Sequence, residues 1–330
     1  MLKERTLGRE GLKVTELGLG TMGMTAFYGT AGSLEESIAV IRRAHELGVT
    51  MFDTAELYNM GTGANERLLG EALHPFRDEV QIATKFGFKY DEHGNSNGHD
   101  SSPENIRRVA ENSLRYLQTD VIDVFYQHRP DPKVPVEDVA GAVKELIEEG
   151  KVRYFGLSEA GPETVRRAHA VQPVSVLQTE YSIFERGVET DVLPVVRELG
   201  IGFVAYSPLG RGFLTSAVKP SAEYDEADMR RFDPRWQGEN YAKNKQAIDR
   251  LGDLAVAKQI TPAQLALAWL LAQGQDIVPI PGTRSRTRLE ENLRAAEVTL
   301  TRAELESIHE IVPNGAYGAR YVPEHLPTWV

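Results

Sequence analysis

Cysteine is absent from the 330-residue chain, which removes thiol catalysis, disulfide staples and thiolate zinc sites from consideration. Long apolar runs are missing as well; none approaches the roughly 20 residues that span a bilayer. The opening Met1-Leu2-Lys3-Glu4-Arg5 passes into alternating residues without the apolar segment of a secretory leader. Positive charge is in short supply: 37 Lys and Arg stand against 48 Asp and Glu, a formal net charge of −11. Such a surface repels phosphate polymers and anionic bilayers, so neither nucleic acid nor membrane is expected as a partner. A small anionic ligand is still allowed, because local charge sets its site. His93 and His99 lack partners at metal-ligand spacing, so no metal site is expected. Together these absences predict a cytoplasmic protein.

With 41% hydrophobic and 26% charged residues the chain can bury a large core and stay hydrated outside. Arg5-Thr6-Leu7 and Leu12-Lys13-Val14 flank Gly8-Arg9-Glu10-Gly11 and read as a short hairpin. Brief β-type runs follow at 17–20, 50–53, 80–85, 121–128, 152–158, 174–180, 201–207 and 276–280. Helical patterns lie near 34–48, 65–73, 103–117, 136–149, 162–171, 190–199, around 241–273 and near 285–296. Ser33 before Glu36, and Ser102 before Pro103, are helix-start signals. This alternation predicts a (β/α)8 TIM barrel with an N-terminal hairpin, in one domain over 1–330, since no linker or repeat interrupts it. An open doubly wound sheet is the competing architecture, but Gly18, Gly20 and Gly23 miss its Gly-x-Gly-x-x-Gly spacing. Residues 208–240 exceed an ordinary turn and read as an extended active-site loop; 90–102 form a second polar insertion. Tyr317, Tyr321 and Trp329 are expected to dock the tail on the barrel.

Asp53, Tyr58, Lys85 and His128 sit at or just after the ends of the second, third and fourth strand-like runs. Strand ends converge on one face of a barrel, so these four are expected to meet there. A phenol is a weak acid, with a free pKa near ~10. A neighbouring ammonium is expected to lower that value, Asp53 to hold Lys85 charged, and His128 to hydrogen-bond a substrate oxygen. Singly, each has a plainer reading as a loop hydrogen-bonder, rim aromatic, solvated strand end or core histidine. The conjunction points to a carbonyl that accepts hydride at carbon and a proton at oxygen.

Several runs carry a family resemblance. They are Arg5-Thr6-Leu7-Gly8…Gly11-Leu12-Lys13-Val14…Leu17-Gly18-Leu19-Gly20-Thr21-Met22, Phe52-Asp53-Thr54-Ala55-Glu56-Leu57-Tyr58, Asn65-Glu66, Leu68-Leu69-Gly70 and Ala83-Thr84-Lys85. Over about residues 3–312 the chain resembles the aldo-keto reductases, in a microbial and plant branch marked by Gly156-Leu157-Ser158-Glu159 and Ile280-Pro281-Gly282-Thr283-Arg284. The resemblance implies a NADPH-dependent carbonyl reductase with Tyr58 as proton donor, assisted by Lys85, Asp53 and His128. It puts Thr21 and Met22 beside the cofactor, and Ser158, Glu159 and Gln178 on the nicotinamide carboxamide, with Glu159 where many relatives have Asn. Tyr206 would stack on the nicotinamide, and Ser207, Pro208, Leu209, Gly210, Arg211 and Gly212 would cover the pyrophosphate. Gly282 stands where some relatives carry Lys. Thr283, Arg284, Arg288, Glu291 and Asn292 would hold the adenosine end. Arg284 and Arg288 offer guanidinium forks for a ribose 2′-phosphate, favouring NADPH over NADH.

The substrate is expected to be a medium-sized aldehyde or ketone. Met24, Phe27, Tyr28, Phe232 and Trp236 are candidates for its pocket, or equally for the cores of the long loops. Two other functions fit the same barrel: a nucleotide-sensing regulatory subunit, and a glycoside hydrolase built from its carboxylates.

Overall fold

The computed structural model describes residues 2–29, 32–91, 96–215 and 217–322. His93 and Trp329 lie outside them. Eight parallel strands run in sequence order: β1 (Leu19–Gly20), β2 (Met51–Asp53), β3 (Gln81–Phe86), β4 (Ile122–Gln127), β5 (Val152–Ser158), β6 (Val174–Glu180), β7 (Gly202–Tyr206) and β8 (Ile277–Pro279). The edges meet: Gly18 N donates to the Pro279 carbonyl at 3.0 Å, and Gly20 bridges Gly282 in parallel. Both glycines matter there. A Cβ on Gly20 would lie 3.0 Å from the Ile280 carbonyl oxygen, and one on Gly282 would lie 2.9 Å from that of Gly20. The sheet is therefore a closed (β/α)8 barrel, not an open sheet.

Helices α1 (Leu34–Glu46), α2 (Ala64–Leu73), α3 (Pro103–Leu117), α4 (Val136–Glu148), α5 (Pro162–Val171), α6 (Val192–Leu199), α7 (Pro262–Leu271) and α8 (Arg286–Leu293) follow the strands. Ser33 and Ser102 cap α1 and α3, accepting from the amides of Glu36 and Asn105, as their sequence signals imply. The 241–273 pattern divides into Gly238–Ala257 and α7. Gln259 at φ 59° ends the first helix, and Thr261 opens the second through a capping box with Gln264. The 208–240 loop is folded into four short 3-10 turns around Phe213, Tyr224 and Trp236. Phe88–Tyr90, at the start of the 90–102 insertion, pairs antiparallel with Ser96–His99 within it.

Strand parity sorts the side chains. Inside the barrel lie Met51, Ala83, Val124, Tyr126, Val176, Val204, Val278 and Ile280, sealed at the strands' N-terminal end by hairpin residues Leu7, Leu12 and Val14. The alternate positions, among them Phe52, Ile82, Phe125, Leu177 and Phe203, pack outward against the helices. Because side chains alternate with period two, the residue two beyond each interior position also points inward. That step reaches Asp53 from Met51, Lys85 from Ala83, His128 from Tyr126, Gln178 from Val176 and Tyr206 from Val204. Five polar groups thus share the C-terminal mouth by parity alone.

Candidate active site

Lys85 is 1% exposed, and its ammonium is the hub of the mouth. Nζ donates to Asp53 Oδ1 at 2.5 Å, to the Thr54 carbonyl at 2.8 Å and to the Tyr58 hydroxyl at 3.2 Å. Tyr58 arrives from the turn after β2, where Asn59, Met60 and Gly61 take positive φ and fold the chain back. His128 stands edge-on to Tyr58, with ring centroids 6.2 Å apart, and rests against Phe88 at 5.0 Å. The four residues that were scattered in sequence are together.

Their electrostatics follow from burial. Desolvation pushes the Tyr58 phenol well above its ordinary value, the Asp53 charge adds to this, and Arg129 opposes it. The downward tuning expected from the ammonium is therefore overridden. Burial pushes Lys85 down against the pull of Asp53. The His128 imidazole is driven well below its usual range, first by burial and then by Arg129 and Lys85. It is neutral at physiological pH, and its Nδ1 has no hydrogen-bond partner among the described residues.

The expected cofactor residues fall into three groups. Ser158 and Gln178 are buried beside the quartet. Gln178 Nε2 donates to Asp53 Oδ2 at 2.7 Å. Tyr206 points inward next to them. Thr21 Oγ1 lies 2.8 Å from the Asp53 carbonyl, and Met22 opens a one-turn helix, Met22–Thr25.

Glu159 differs from expectation. It sits at φ 56°, fully buried, and accepts from both terminal nitrogens of Arg320 (2.8 and 2.6 Å), from the Tyr206 hydroxyl (2.8 Å) and from the Glu180 amide (3.2 Å). Three of these donors converge on Oε1 and one, Arg320 Nη2, reaches Oε2. Arg211 is likewise engaged: its guanidinium pairs with Glu180 at 3.0 Å and Asp233 at 2.6 Å and covers the Tyr321 ring at 4.3 Å. In the segment Ser207, Pro208, Leu209, Gly210, Arg211, Gly212, the amides of Gly210 and Gly212 turn inward to the Ser207 and Leu209 carbonyls.

Arg284 and Arg288 are exposed and flank the start of α8, whose cap Ser285 accepts from the Arg288 amide. Gly282 is exposed, Thr283 and Glu291 are half-buried and Asn292 is buried. Arg284 also donates to the Tyr28 carbonyl at 3.2 Å, while Tyr28 bridges Asp228. Loops after β1, β7 and β8 therefore meet over the mouth. Of the pocket candidates, Phe27 and Tyr28 line this junction. Met24 packs with Leu19 and Val40 in the outer core, and Trp236 is buried against Phe213, so both are core aromatics or aliphatics of their segments and not pocket walls. Phe232 is 64% exposed.

Two residues of the site, Arg129 and Arg320, carried no assignment from sequence, and Tyr321 was expected only to dock the tail on the barrel, which it does through the Tyr206 hydroxyl. Arg129 directly follows His128, and its Nη1 donates to the His128 carbonyl at 2.6 Å and lies 3.4 Å from Ser158 Oγ. Its adjacency to a strand-end histidine was a usable signal. Arg320 had none, because its partner lies 161 positions away.

A family model described as the Aldo/keto reductase family matches residues 16–313. The chain belongs to that family. It is 45% identical over 322 residues to a probable aldo-keto reductase 1 of Glycine max, covering 96% of this chain and 90% of the relative. Among solved structures, a glycerol dehydrogenase from Gluconobacter oxydans superposes with a TM-score of 0.86 at 28% identity, over 97% of this chain and 99% of that one. The holo form of an aldo-keto reductase from Bacillus halodurans gives 0.80 at 28%, over 99% and 100%. Family membership supports carbonyl reduction by an oxidoreductase acting on small molecules, with a nicotinamide cofactor. This replaces the hydrolase alternative. No single helix among the described residues is long and apolar enough to cross a membrane.

Proposed function

We propose that this chain, acting as one barrel domain over 1–330 in the cytoplasm, reduces an aldehyde or ketone to its alcohol, reversibly, with NADPH. The observation that carries the reading is Lys85 Nζ bonding Asp53 and the Tyr58 hydroxyl at once, within the barrel mouth. The reduced nicotinamide, when bound, supplies hydride to the carbonyl carbon. Tyr58 gives its proton to the carbonyl oxygen. Burial keeps the phenol protonated until it is needed, and the adjacent ammonium stabilises the phenolate that proton transfer leaves. Asp53 holds Lys85 aimed and charged. His128, neutral, orients the carbonyl by a hydrogen bond, and the buried walls exclude water.

Ser158 and Gln178 are suited to the carboxamide and Tyr206 to the ring face. Arg284 and Arg288, exposed at the start of a helix, suit a 2′-phosphate and underlie the preference for NADPH over NADH. Phe27 and Tyr28 are the pocket wall that favours a medium-sized carbonyl compound. The test is NADPH fluorescence on mixing, followed by loss of reduced-nicotinamide absorbance with a panel of aldehydes. Binding and turnover are expected. Binding with no turnover across the panel would overturn the reading in favour of a nucleotide sensor.

A further inference from the structure

The C-terminal segment does more than pack. Ala316 N donates to the Phe184 carbonyl at 2.8 Å, and Tyr317 N to Asn244 Oδ1 at 2.8 Å, so the chain is stitched across the strands' C-terminal end. From there it delivers Arg320, which is 6% exposed, to the Glu159 carboxylate, and the Tyr321 hydroxyl to that of Tyr206 at 3.1 Å. Tyr206 is thereby held on two sides, by Glu159 Oε1 and by Tyr321.

We propose that Arg320 is a positioning residue for the nicotinamide site: by clamping Glu159 it fixes Tyr206, the ring on which the nicotinamide lies. The argument rests on the proposed NADPH reading. Asn at position 159 would be neutral and need no counter-charge. A buried carboxylate beside the cofactor does need one, and among the described residues Arg320 supplies it as a bidentate partner. The Glu159–Arg320 salt bridge measures 2.6 Å. Arg129 contributes attraction from farther off without a direct contact. Glu159 in this chain is therefore an anchor for the tail, and its contribution to the cofactor passes through Tyr206.

Full-length wild type, Arg320→Met, Arg320→Lys, Glu159→Gln and the Glu159→Gln/Arg320→Met double variant would be titrated with NADPH by fluorescence, with thermal midpoints recorded alongside. Arg320→Met is expected to raise the NADPH Kd at least tenfold, because it strands the carboxylate beside Tyr206. The double variant is expected to return to within about threefold of Glu159→Gln. Arg320→Lys, which keeps charge but loses the fork, should fall between and serves if the Met variant does not fold. A tail with only a structural role would lower the midpoint while leaving Kd unchanged; that outcome overturns the proposal, as does a double variant as weak as the product of the singles. Wild type that binds neither NADPH nor NADH would sink the cofactor reading and this inference with it. Wild-type binding without coupling sinks only the clamp.

Discussion

Replacing Lys85 by Met tests how the buried charges at the mouth depend on one another. The substitution keeps a chain of similar length and removes the ammonium from a site that is 1% exposed. Asp53 is then left buried with its Oδ1 partner gone. Breaking a buried pair by deleting one ion typically costs about 3–5 kcal/mol, since the remaining charge is uncompensated. Gln178 still donates to Asp53 Oδ2 at 2.7 Å, which places the expected loss at the lower end, about 3 kcal/mol. Asp53→Asn strands the amine instead, but burial already pushes that amine towards neutrality, so a smaller loss of about 2 kcal/mol is expected. The double variant buries no charge and should lie within about 2 kcal/mol of wild type, because well-packed neutral replacements of a buried pair are often nearly neutral. The assay is a double-mutant cycle on urea midpoints, checked with two spectroscopic probes for coincidence. A double variant that loses the sum of the single losses would refute the reasoning, for it would mean that the two charges do not sense each other.

Two further outcomes follow from other parts of the fold. Burial raises the Glu56 carboxyl from 4.5 to about 8, with Arg108 only partly opposing it at 3.7 Å. Folded protein thus keeps a proton that unfolded chain releases, so this contribution is full below 4.5 and lost as pH rises through about 8. Glu56→Gln should flatten that loss, with its urea midpoint gaining on wild type between about pH 4.5 and about pH 8; parallel profiles would contradict this. Arg288→Ala should reduce the NADPH-to-NADH ratio of kcat/KM by about tenfold or more, a charge-assisted phosphate contact being worth about 1.5–3 kcal/mol. Equal use of both cofactors by wild type would remove the argument.

Much of this site was legible because barrel geometry converts strand-end positions into neighbours. Asp53, Lys85 and His128 end consecutive strands, and parity alone turns them inward. Those three therefore required only strand assignment and alternation, whereas Tyr58 comes from the turn after β2. Glu159 and Arg211 show where local reading stops. The resemblance placed both at the cofactor, and the partners that engage them, Arg320 on the tail, Glu180 at the end of β6 and Asp233 on the loop after β7, are distant in sequence and leave no periodic trace. Trp236 and Met24 failed as pocket candidates for a related reason. An apolar residue on a long loop can face the pocket or the loop's own core, and only packing decides. The phenol's direction of shift was misjudged because burial was not visible in the residue pattern, while the neighbouring charge was.

The most direct test of the central claim is Tyr58→Phe, measured by single-turnover oxidation of bound NADPH with an aldehyde and by NADPH titration on the same sample. The ring and the binding face remain, so Kd should stay within about threefold of wild type. The hydride-transfer rate should fall about 10²–10⁴-fold, the usual worth of a positioned proton donor. A rate within a few-fold of wild type would contradict the assignment of Tyr58 as the acid.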